Sequence, residues 1–106
     1  MSFYRVTTPH HTFKLPLDTS ECEVIRVTYK QGCKKLLKTY EDGVASPGMT
    51  LDEEYVVISL TQEETKQFEK GAVDVQLRAL DNSGKAHASD HYKVGVGEVN
   101  DEEIMR

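Results

Sequence analysis

The chain has 106 residues, 38% of them apolar and 29% charged, with a formal net charge of −5. That length suits one domain, and that apolar share supports one modest core rather than wholesale disorder. The acidic balance argues against a nucleic-acid binder that works by phosphate neutralisation, and no apolar run approaches the ~20 residues of a membrane-spanning helix.

The first residues, Met1-Ser2-Phe3-Tyr4-Arg5, hold no apolar h-region, so no secretory leader is expected. His10-His11 follows Pro9 and reads as a solvated strand entry; neighbours on a strand face opposite ways, so the pair cannot chelate one ion. Thr12 to Leu17 is a weak strand, with Phe13, Leu15 and Leu17 alternating. Ile25 to Lys30 is a strand, Gln31-Gly32 a tight turn and Cys33 to Thr39 the returning strand, which sets Lys30 opposite Cys33. Cys22 then falls opposite about Tyr40, too far from Cys33 for a disulfide, and both thiols read as reduced. Lys34, Lys35 and Lys38 form a basic cluster on that strand and read as an edge-protecting face.

Asp42-Gly43 and Ser46-Pro47-Gly48 bracket a loop, and Asp52-Glu53-Glu54 is a solvated carboxylate run before the next strand. In Tyr55 to Leu60, Val56, Ile58 and Leu60 share a face. Thr61 to Gly71 departs from the rhythm of two. Thr61 caps a helix of about two turns, Glu64 closes a capping box, Lys70 suits the negative end, Gly71 ends it, and Leu60 and Phe68 anchor it. Val73 to Ala79 alternates most clearly, and Asp81-Asn82-Ser83-Gly84 is a strong turn into a last strand carrying Tyr92, Val94 and Val96.

His87 and His91 sit on a strand, four steps of ~3.3 Å apart, which is too far for one ion. Ser89-Asp90-His91 holds triad residue types, but adjacency on a strand is not triad geometry. Gly95-Val96-Gly97 lacks the helix of a dinucleotide fingerprint and reads as a strand end. No motif predicts catalysis, a metal or a cofactor, so the chain is read as not an enzyme.

About seven short strands with one short helix and no βαβ alternation predict an all-β fold, an immunoglobulin-like antiparallel β-sandwich over residues 1–97. Residues 98–106 are read as an acidic flexible tail.

Four segments carry a resemblance: Thr8 to Thr19 (TPHHTFKLPLDT), Ile25 to Gly32 (IRVTYKQG), Ser59 to Phe68 (SLTQEETKQF) and Val73 to Leu80 (VDVQLRAL). Gly84-Lys85-Ala86 and Ala88-Ser89-Asp90 follow the last of them. Together they resemble a family of small phage and prophage structural proteins of Gram-positive bacteria, and the N-terminal immunoglobulin-like module of phage baseplate upper proteins. The resemblance implies a tail- or baseplate-associated protein without catalysis, made in the bacterial cytoplasm and then built into the virion. Its partners would be virion or baseplate proteins, or further copies of itself, and not nucleic acid or membrane. Tyr4, Tyr40 and Tyr55, with Asp101, Glu102 and Glu103 of the tail, are the candidate interface residues. A carbohydrate- or host-surface-binding β-sandwich is the alternative; it requires an exposed aromatic platform.

Overall fold

A computed structural model of the chain describes residues 2–4, 7–88 and 91–97. Its strands are β1 (Ser2–Tyr4), β2 (His10–Lys14), β3 (Cys22–Gln31), β4 (Lys34–Glu41), β5 (Val44–Ala45), β6 (Met49–Asp52), β7 (Tyr55–Ser59), β8 (Gly71–Asp81), β9 (Ala86–Ala88) and β10 (Tyr92–Gly97). One helix, α1 (Gln62–Lys66), lies between β7 and β8. The larger sheet has the order β1-β10-β8-β3-β4-β5, with β9 beside the end of β8; the smaller has the order β2-β7-β6. Every pairing is antiparallel except β1 with β10.

Alternation along the strands explains the two layers. On β3, Ile25, Val27 and Tyr29 turn inward; on β8, Val73, Val75 and Leu77 do so; all six are fully buried. They meet Phe13 of β2 and Val56 and Ile58 of β7 from the smaller sheet. One wet face and one dry face per strand is what two antiparallel sheets packed together require.

The strand order is that of the variable type of immunoglobulin-like sandwich. In the lettering of that fold, β2, β7 and β6 are B, E and D, while β10, β8, β3, β4 and β5 are G, F, C, C′ and C″. The chain is therefore an immunoglobulin-like β-sandwich, as the strand rhythm predicted. Antibody domains add a buried Trp on strand C and a disulfide between sheets. Here Tyr29 is the buried aromatic of strand C, and its hydroxyl shares a 2.7 Å hydrogen bond with His11 Nδ1 on strand B. Cys22 is a buried free thiol and Cys33 an exposed one.

Several local expectations change. The β3–β4 turn is Gly32-Cys33, because Gln31 pairs with Lys34 and Lys30 with Lys35. Gly32 has φ +59°, the positive φ that a type II′ hairpin needs at its first loop position. On β4, Tyr40 stands opposite Ile25 rather than Cys22, and Cys22 pairs with Asp81 on β8. The stretch from Asp42 to Asp52, expected as a loop, contains β5 and β6. Asp42 and Gly43, both with positive φ, make the two-residue turn between β4 and β5. The Asp52-Glu53-Glu54 run is the hairpin between β6 and β7, with Asp52 opposite Tyr55.

The strand expected at Thr12 starts at His10, and His11, expected in solvent, is 2% exposed. The helix is capped as predicted: Thr61 Oγ1 accepts from Glu64 N at 3.2 Å, and Glu64 Oε1 accepts from Thr61 N at 2.9 Å. It ends at Lys66, however, and Gly71, expected as its stop, opens β8 with φ +136°. Phe68 and Leu60 are buried beside it, as predicted. The tail 98–106 and the pair Ser89-Asp90 lie outside the described residues.

Candidate functional site

The buried polar groups bind the layers to one another. Lys38 lies on the inner face of β4, in phase with Leu36 and Tyr40. Its Nζ donates to Pro47 O at 2.9 Å and meets Glu64 Oε2 at 2.6 Å. Burial alone would raise the Glu64 pKa, but the bonds from Lys38 and from Thr61 outweigh it and hold the carboxyl below its ordinary value. One carboxylate thus caps α1 and neutralises a lysine of the larger sheet. The edge-protecting role expected of this basic cluster is left to Lys34 and Lys35, both exposed. Tyr29 is pushed far up by burial, so its phenol keeps its proton and donates to His11. Burial holds His11 below its usual value, in the neutral form that can accept.

At the far end of β8 one side chain organises the turn. Asp81 Oδ1 accepts from Ser83 N at 2.9 Å, Ser83 Oγ at 2.6 Å and Lys85 N at 2.9 Å, while Oδ2 meets His87 Nε2 at 3.0 Å. The bonds from Ser83, then His87 and Lys85, drive its pKa well below the usual carboxylate range. His91 pairs separately with Asp74 at 2.6 Å. The two histidines therefore serve two different carboxylates.

Chemically reactive pairings are sparse. Ser59 Oγ lies 2.6 Å from His10 Nδ1 across the β2–β7 ladder, a contact of nucleophile and base types. Among the described residues no carboxylate is bonded to His10 to orient it, and a hydrolytic triad needs that third group. Among the described residues, no group of three or more His, Cys, Asp or Glu could hold a metal ion.

The outer face of the larger sheet is where unspent side chains gather. The register sets Ala86, Leu80, Val24, Glu41 and Val44 in one row across β9, β8, β3, β4 and β5. The next row is Ala88, Arg78, Arg26 and Thr39. Val24, Arg26, Glu41, Arg78, Leu80 and Ala86 line a cleft of about 350 Å3 on this face. In the sequence Arg26 and Arg78 are the outward alternates of two separate strands. Nothing in a single strand shows that two such positions are register partners.

The candidate interface residues are scattered. Tyr40 is half-buried and packed against the core from the inner face of β4. Tyr55 is 38% exposed at the start of β7. Tyr4 lies on β1, whose backbone pairs with Gly97. Asp101, Glu102 and Glu103 lie outside the described residues.

The fold is thus that of a variable-type immunoglobulin-like domain with a cationic and apolar cleft on the sheet that carries strands G, F, C and C′. The V domain of the amphioxus protein IgVJ-C2 is similar in structure. The two are 11% identical, the match covers 92% of this chain and 99% of that one, and the TM-score is 0.43. No protein-family model matches the chain, and no curated protein matches it.

Proposed function

We propose that the chain is a non-enzymatic structural protein of a phage or prophage, associated with the tail or baseplate and acting through protein–protein contacts. The observation that carries the contact role is the outer face of the larger sheet. There Ala86, Leu80, Val24 and Val44, the last 71% exposed, share a row with Glu41 beside two arginines left unpaired among the described residues. Buried charge in this domain is spent on its own turns and layers, whereas this face offers apolar area and cations outward, the mixture that favours protein interfaces. The phage setting is supported by the resemblance of the four segments from Thr8 to Leu80 to phage structural modules.

Mass spectrometry of purified particles, induced from a strain carrying the gene, tests the assignment. The chain is expected among the virion proteins at a stoichiometry of several copies. Its absence from particles that contain every other tail protein would sink the reading.

A further inference from the structure

Arg26 and Arg78 are direct partners in the β3–β8 ladder. Side chains opposite each other in an antiparallel pair have Cβ atoms about 5 Å apart, and like charges placed so cost stability. Both arginines are exposed, and among the described residues neither meets a carboxylate within ion-pair distance. Across the sheet, Arg78 is followed by Ala88 and Arg26 by Thr39, so neither neighbour offers a counter-charge. Glu41 is the carboxylate lining the cleft, and its register partners are Val24 and Val44 rather than an arginine. His87, which also lines the cleft, is bonded to Asp81.

The cleft therefore presents two guanidiniums and the single carboxylate of Glu41 around the apolar side chains of Val24, Leu80 and Ala86. Its volume, about 350 Å3, falls at the small end of the range for ligand clefts. Two guanidiniums side by side suit two carboxylates, each able to accept paired N–H bonds. The apolar side chains add the need for an aliphatic side chain next to them. The chemistry is that of a short acidic peptide with apolar residues adjoining its carboxylates. This chain contains such a peptide: Asp101-Glu102-Glu103-Ile104-Met105.

Geometry points to a neighbour as its source. At the end of β10, Val96 stands opposite Gly71, nine residues along β8 from Leu80. At ~3.3 Å per residue that is about 30 Å to Leu80, and about 23 Å to Arg78, which is seven residues along β8 from Gly71. The carboxylates Asp101 to Glu103 follow Gly97 by four to six residues, which span at most about 14 to 22 Å when fully extended.

We propose that the Arg26–Arg78 cleft docks the acidic segment Asp101–Met105 of a second copy of this chain. The contact rests on the reading of the protein as one that works by protein–protein contact, and it specifies the surface and the partner. Each copy carries both the cleft and the segment, so the contact either closes as a two-fold pair by reciprocal exchange or links copies head to tail. The opposed guanidiniums, unfavourable in the free domain, are neutralised on assembly.

Fluorescence anisotropy of a labelled peptide of residues 98–106, titrated with the full chain, tests this. Saturable binding is expected, weakening as salt screens the charges. Arg26→Gln and Arg78→Gln should each weaken it about tenfold or more, the loss of one charge-assisted interaction. A peptide with Asp101→Asn, Glu102→Gln and Glu103→Gln should not bind. Unfolding does not account for such losses if the arginine variants melt at or above the parent temperature, as relief of repulsion predicts. Absence of saturable binding, undiminished binding by the double arginine variant, or equal binding of a scrambled peptide overturns the assignment. A chain present in particles that binds no peptide removes the cleft and leaves the phage reading. A chain that binds the peptide but is absent from particles does the reverse.

Discussion

Single side chains link parts of the chain that are distant in sequence. Phe68 leaves the helix and is wholly buried against Tyr29 of the larger sheet, ring centroids 6.4 Å apart. Phe68→Ala should cost about 3–5 kcal/mol, read from urea unfolding, because the opened space cannot be refilled by a β-sheet core. Lys38 ties β4 to the loop at Pro47 and to the helix cap at Glu64. Lys38→Ala leaves the Pro47 carbonyl and the Glu64 carboxylate without that donor and should cost about 2–3 kcal/mol in the same measurement. A double-mutant cycle with Glu64→Gln should show coupling, since the two charges touch.

Phe68 was legible as an anchor, because it follows a capping box at a helical interval and no other apolar residue lies between Thr61 and Gly71. Lys38 was legible in principle. It shares the strand parity of Leu36 and Tyr40, and a lysine in phase with apolar residues signals a buried charge that needs a partner. The partner, Glu64, lies 26 positions away on another element, and nothing local to Lys38 announces it.

Short elements here depend on specific turn chemistry. The helix is five residues long, too short to persist in water alone, so its cap has unusual leverage. Thr61→Ala should cost about 1 kcal/mol, measured by thermal melting. Gly48, with φ +83°, brings its backbone against β7, where an added Cβ would stand 2.3 Å from Ser59 O. Gly48→Ala should therefore cost well over the ~1 kcal/mol of a merely conformational penalty, and it should loosen β6, whose amide exchange would rise. The capping box and the Asp81 turn were readable because their signals sit within four residues of one another. β5 and β6 were not. Two- and four-residue strands are too short to show a period, and the polar residues around them are those of turns.

For the whole molecule, the charge arrangement sets how the domain responds to acid. The carboxyls of Asp18, Glu64, Asp74 and Asp81 all sit below their ordinary pKa in the folded chain. Each is ionised and bonded when folded, so its contribution is complete above about pH 4, the unfolded value, and is lost as pH falls through the lower folded value. His11 is also lowered. Unfolding lets it take up a proton below about pH 6.5, so stability declines there too as acid is added. The thermal midpoint should be flat near neutrality, decline gently below about pH 6.5 and fall more steeply below about pH 4. A midpoint that rises on acidification between pH 6 and 3 contradicts this.

Length, charge and strand rhythm alone established a small acidic β-sandwich with one capped helix. These properties come from steric and solvation preferences that act within a few residues, so they are written locally. Tertiary structure decided the rest: that β1 joins β10 in parallel, that His11 and Tyr29 bond between the sheets, and that Arg26 stands opposite Arg78. Each depends on the register between strands separated by up to some ninety residues. Pairing over such distances is selected by the packing of the complete core, because a one-residue slip would turn every inward side chain out. The sequence carries an excess of negative charge. Only the folded sheet shows that two of its positive charges, Arg26 and Arg78, stand side by side in a cleft.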